Sequence, residues 1–169
     1  LGRGDQKAAA GFAQAALQLT ILFSLFVTLI SILFTNPLLQ FFALNDAETY
    51  NSARIYMRIT CGLILFSFLS QVLTGLFTAQ GDSKTPLKAN FFGLILNMIL
   101  DPLLVLGVGP FPRLEVVGAA VATVTAQIIV LLILVTEILR DHGEANVLHK
   151  IRLLSRPDIA CLKGVFRIG

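Results

Sequence analysis

An aspartate, two asparagines and a proline fall within thirteen residues of an otherwise apolar stretch: Asn90, Asn97, Asp101 and Pro102, inside "NFFGLILNMILDPLLVLG". Asn97 lies one helical turn before Asp101 and Asn90 two turns earlier still, so on a helix all three project from one face. Pro102 has no N–H and its ring crowds the preceding turn, which leaves the carbonyl of Met98 without its helical partner. An acid, two amides and a freed carbonyl together suit a hard cation or a proton relay. A bare carboxylate is costly in hydrocarbon, so Asp101 has to be protonated, ion-bound or paired. The competing reading is structural, with Asp101 hydrogen-bonded to Thr and Asn as glue between helices.

The surroundings place this group in a membrane. Of the 169 residues, 56% are hydrophobic and only 14% charged, too apolar for an ordinary soluble domain. Cutting the chain at its charges leaves neutral runs of about 20 residues or more, the length of a spanning helix. The expected architecture is all-α and polytopic, with four transmembrane helices at about 9–35, 54–79, 87–109 and 116–139. Asp101, eight residues before Gly109, then lies roughly 12 Å from the nearer surface. Helix four runs the opposite way, so Thr123 falls at about the depth of Asp101 and Gln127 near that of Asn97. The two polar pairs are positioned to meet.

Elsewhere in the spans polar residues form stripes. Thr20, Ser24, Thr28 and Ser31 align on one face of helix one, and Thr60, Ser67, Gln71, Thr74 and Thr78 repeat the device on helix two. Such stripes face other helices or a wet cavity, either as interhelical hydrogen bonds or as the lining of a substrate path, for which Gln71, Gln127 and Asn90 are the candidates. Gly118, Ala122 and Ala126, four apart, form a close-packing face on helix four. "QGDSKTP" reads as a turn whose proline suits the first turn of helix three.

Ten of the thirteen Lys and Arg residues lie at the start, in the "GDSKTPLK" turn and after helix four, which puts both chain ends on the cytoplasmic side of the plasma (inner) membrane. Arg54 and Arg58 are left at the outer mouth of helix two. The net charge of +3 thus reflects topology, and nucleic acid is not an expected partner. The partners are the lipid bilayer and further helices of the same protein. Residues 1–140 form the helical unit. Residues 141–169 interleave charges with apolar residues and read as a cytoplasmic amphipathic connector lying on the membrane surface. Cys61 and Cys161 have no metal-ligand spacing, and no cofactor or catalytic group is expected; the chain is not an enzyme.

Two stretches, "GLFTAQGDSKTPLKANFFGLILNMILDPLLVLG" and "VVGAAVATVTAQ", resemble the multidrug and toxic compound extrusion (MATE) transporters, whose pattern has a GDT-like turn, an N-x-x-x-D helix and a GAA-x-AT helix. "GRGDQKAA" resembles the family's loop after helix two, and "VFRIG" its entry to helix seven. The resemblance implies helices three to six of a twelve-helix protein, part of its first six-helix lobe, followed by the connector to the second. It further implies an exporter of amphipathic, often cationic compounds, coupled to influx of H+ or Na+. The cation site would take Asp101, Asn97 and Thr123, with a partner acid on a helix outside this chain. A lipid-linked flippase of the same superfamily is the near alternative, disfavoured by the scarcity of Lys and Arg in the spans. A non-transporting membrane assembly module is the distant one.

Overall fold

The computed structural model describes residues 6–42, 46–110 and 112–140. The connector expected over 141–169, the "VFRIG" segment and the basic tail lie outside them. Five helices follow one another: α1 (Gln6–Phe41), α2 (Ala47–Gly62), α3 (Ile64–Ala79), α4 (Lys84–Leu106) and α5 (Glu115–Arg140). No strand occurs among the described residues. Three helices are long and apolar enough to cross a membrane, and α2 with α3 makes a fourth span if the bent pair is counted as one.

The expected second span is therefore not one straight helix. It begins at Ala47 rather than near Arg54 and bends by 40° at Leu63, just after Gly62. Glycine carries no side chain to pack along the helix and costs the most backbone entropy, which makes it a natural site for the break. Just before the bend, the Thr28 hydroxyl of α1 donates to the Cys61 carbonyl at 2.9 Å. Helix α1 also departs from expectation, running through Asn36 and Pro37 to Phe41 instead of stopping near residue 35. Pro37 removes only the bond to the Leu33 carbonyl, a loss that a helix in a membrane tolerates close to its end.

Capping fixes the other boundaries. Asp46 opens α2 by accepting from the Thr49 N–H at 2.9 Å and the Thr49 hydroxyl at 2.6 Å, and these bonds hold its carboxyl below the usual range. Asp82 does the same for α4, accepting from the Lys84 and Thr85 N–H groups at 3.1 Å each. Its carboxyl is lowered chiefly by its bonds to Thr85. Pro86 follows in that first turn, as expected for a residue with no N–H to leave unpaired. Gly107, at φ 69°, ends α4 in the left-handed conformation that glycine adopts without penalty. The Leu114 N–H then donates to the Leu104 carbonyl at 2.9 Å, closing the α4–α5 hairpin.

Helices α4 and α5 share the most extensive contact of the bundle; α1 packs on α2 and α3, and α5 also covers α2 and α3. The small-residue face works as expected. Gly118, Ala122 and Ala126 are buried, and a methyl group at Gly118 would lie 2.5 Å from the Leu104 carbonyl oxygen. At this crossing the backbones touch. The core itself gathers Leu17, Leu73, Phe77, Ala89, Val130 and Leu134, while the large apolar residues of α1 from Leu22 to Phe34 are mostly exposed, as lipid- or helix-facing surface is.

Candidate functional site

Because α4 and α5 touch along small residues, their polar side chains are brought within reach of one another. Asn97 of α4 stands between Asp101, one turn further along its own helix, and Thr123 across the crossing. Its side-chain nitrogen is 3.4 Å from the Thr123 hydroxyl oxygen. With the amide turned over, the nitrogen donates to Asp101 Oδ2 at 3.3 Å and the amide oxygen accepts from the Thr123 backbone N–H at 3.3 Å, the orientation that matches donors to acceptors. Asp101 itself is half-buried. Its second oxygen, Oδ1, is buried and has no hydrogen-bond partner among the described residues.

An acceptor oxygen that is buried and unpaired is expensive, so it marks where a proton or a cation would be stabilised. With its nitrogen toward Asp101 the Asn97 amide serves the carboxylate itself. Turned the other way its oxygen faces the carboxylate, and an acid and an amide oxygen are hard donors of the kind that Na+ takes, while a carboxyl can equally hold H+. Among the described residues no three His, Cys, Asp or Glu cluster as a metal-binding group would need. Among the described residues, Asp101 is the acid that this patch brings to Asn97.

Asn90 and Gln127 fall beside this patch and Gln71 does not. Asn90, Asn97, Thr123 and Gln127 line one cavity of about 240 Å³ between α4 and α5, walled on its apolar side by Gly93 and Val130. Gln71 lines a separate, almost wholly apolar groove of about 420 Å³ between α1 and α3, beside the stacked rings of Phe23 and Phe68, whose centroids are 6.4 Å apart. The polar stripes resolve largely into local bonding. Thr20 donates to Ala16, Ser24 to Ile21 and Thr78 to Thr74, each within its own helix. Thr28 reaches across from α1, to the Cys61 carbonyl.

The residue missed from sequence is Ser70. It is 2% exposed, donates to Phe66 at 2.8 Å and lies 3.4 Å from the Gln127 carbonyl, tying α3 to α5 beneath the cavity. Ser67 occupies the same helix three residues earlier, and nothing in residue type separates the two. Asn90 makes the corresponding link on the other side, donating to the Pro86 carbonyl at 2.8 Å and lying 3.4 Å from the Thr74 hydroxyl of α3.

A bundle of apolar helices with a polar patch around one acid is the frame of a multi-pass membrane protein. The MatE family model matches residues 1–103, and the chain belongs to that family. It is 33% identical over 131 residues to an FAD transporter of Shewanella oneidensis, covering 78% of this chain and 29% of that protein. It is also 31% identical over 155 residues to a probable multidrug resistance protein NorM of Bacillus cereus, covering 91% of this chain and 34% of that one. A shorter match, 35% over 85 residues, is to a probable lipid II flippase MurJ of Buchnera aphidicola, covering 50% of this chain and 16% of that protein. The chain spans about a third of the length of the first two relatives. The fold is shared with a multidrug resistance MATE family transporter of the MOP superfamily solved in an inward-facing conformation, at a TM-score of 0.76 and 20% identity over 97% of this chain and 41% of that one.

Proposed function

We propose that this chain is the part of a secondary active multidrug exporter that binds the coupling ion, H+ or Na+, through Asp101, Asn97 and Thr123. The buried Oδ1 of Asp101, left unpartnered while Oδ2 takes the Asn97 amide, carries this reading. Binding a cation there removes the cost of the buried charge. Occupancy can then drive export only if the site is better formed in one of the two packings between which the transporter alternates. Pro102, one residue on, is a ready point for α4 to bend. The relatives named for multidrug resistance support amphipathic, often cationic substrates.

The test is transport by the full-length protein across a pH series with and without Na+. Asp101→Asn keeps the size and much of the hydrogen bonding of the protonated acid, so it should fold yet lose all cation dependence. Asn97→Leu should weaken ion binding while leaving a titratable acid, and Thr123→Val should do so more mildly. If Asp101→Asn transports with unaltered pH and Na+ dependence, the residue is structural.

The matches to MurJ and to an FAD transporter favour a second reading, movement of a phosphate-bearing anion across the membrane. Such a substrate needs basic groups. Among the described residues those nearest the spans' interior are Arg54, half-buried and with its Nε unpartnered, and Arg58 one turn on. Neutralising both should abolish anion transport under this reading and leave export of a cationic dye intact under the first.

A further inference from the structure

From the level of Asn97 to that of Asn90 is seven residues of α4, and from Thr123 to Val130 seven of α5, so the cavity between them extends roughly 10 Å along the bundle. It begins at Asn97 and Thr123, one turn from Asp101, which does not itself line it, and ends near the Lys84 end of α4; it is open on one side, where Asn90 and Thr123 are exposed. Its volume of about 240 Å³ has room for several waters. Four side chains, Asn90, Asn97, Thr123 and Gln127, supply the polar partners that water requires, and no charged side chain lines it. A purely adhesive interface would have closed this space with apolar side chains. Instead Gly93 packs closely against Val130 on one wall, and the four polar side chains line the rest with Leu94 and Ala126.

We propose that this cavity is a hydrated antechamber by which the coupling cation travels between the Lys84 end of α4 and Asp101, with Asn90 and Gln127 as its lining rather than its ligands. The inference rests on Asp101 being the coupling site and adds the route to it. A dehydrated cation crossing 10 Å of hydrocarbon faces a large barrier, whereas amide oxygens and waters replace its hydration shell step by step. Asn90 holds a second position in this design. Its nitrogen is engaged by the Pro86 carbonyl and approaches Thr74 of α3, which leaves its oxygen as the acceptor, and this bond ties the chamber's far end to a helix with which α4 otherwise has little contact. Movement of α3 relative to α4 would therefore reshape the entrance before it disturbed the Asp101 site.

The distinguishing property is rate against affinity. In the full-length protein, Asn90→Leu and Gln127→Leu should each lower cation-driven turnover in proteoliposomes by about tenfold, the loss carried by one hydrogen bond to a charged species. Equilibrium binding of Na+ and H+ to the purified variants should stay within about twofold of the parent. Asn90→Ser and Gln127→Ser, which keep the chamber wet, should restore turnover. In a cysteine-free background, Asn90→Cys and Gln127→Cys should react with the cationic reagent 2-(trimethylammonium)ethyl methanethiosulfonate. Unchanged turnover in the leucine variants overturns the proposal, as does a loss of affinity matching the loss of turnover, or failure of both cysteines to react. Where a leucine variant does not fold, the serine and cysteine variants decide. Asp101→Asn retaining cation dependence would instead overturn the coupling role of Asp101, a different result in a different variant.

Discussion

The α1–α2 contact and the α4–α5 contact both place polar groups inside the membrane-spanning bundle, and they differ in what is left over. At the first, the Thr28 hydroxyl meets the Cys61 carbonyl beside the bend, and Thr20 and Ser24 return their protons to their own helix. Those bonds close on themselves. At the second, Asn97 shares one amide among Asp101 and Thr123, a cavity opens alongside, and one carboxylate oxygen remains unpaired. An intramembrane polar residue is therefore informative less by its presence than by its unsatisfied capacity. Hydroxyls can hide in their own helix by bonding the carbonyl one turn back, and a carboxylate has no proton to do so.

Substitutions can break this contrast, beginning with the largest effect. Under the proposed coupling role, Asp101→Asn should reduce cation-driven transport by on the order of a hundredfold or more while leaving the thermal midpoint of the detergent-solubilised protein nearly unchanged. A large drop in the midpoint would place Asp101 with Thr28 among the structural groups. Gly118→Leu attacks the packing that brings the two halves of the site together. Its side chain meets the Leu104 backbone, which cannot swing aside, so a loss of about 3 kcal/mol or more, read as lost folded yield, is expected.

Thr28→Val should cost about 1 kcal/mol by stranding the Cys61 carbonyl, measured as a lower unfolding midpoint, with the pH and Na+ dependence of transport untouched. A change in cation dependence would show that the bend is coupled to the site and the contrast is false. The smallest effect belongs to the Asp82 cap. Its carboxyl is held below its ordinary value of 3.8, so its contribution to stability is present above that value and is lost as pH falls through the lower folded value. Asp82→Asn should accordingly be slightly less stable than the parent at neutral pH, with the gap closing in strongly acidic solution. A gap that persisted there would show that the bonds to Lys84 and Thr85 do not depend on charge.

Much of this was legible in the residues themselves. Length and hydrophobicity between charges are one-dimensional properties, and in a bilayer every backbone polar group has to be satisfied within its own helix, so apolar runs of sufficient length determine an all-α membrane fold. The spacing of Asn90, Asn97 and Asp101 determined that they share a face, and antiparallel counting brought that face to the level of Thr123 and Gln127, although it set Thr123 at the depth of Asp101, one turn from the Asn97 it meets. Gly118, Ala122 and Ala126 declared a packing face through size alone.

The tertiary structure decided what depends on a partner. At the bend at Leu63 the Cys61 carbonyl takes the Thr28 hydroxyl of another helix, and no pattern within residues 54–79 names Thr28. Gln71 and Gln127 are the same residue type, yet only Gln127 borders the polar cavity, because helix rotation is set by neighbours and not by the sequence of the helix that rotates. Ser70 rather than Ser67 reaches α5 for the same reason. That Asp101 keeps one oxygen unpaired is likewise a fact of three-dimensional arrangement: sequence determines which groups can bond, and only packing decides which of them are left with nothing to bond to.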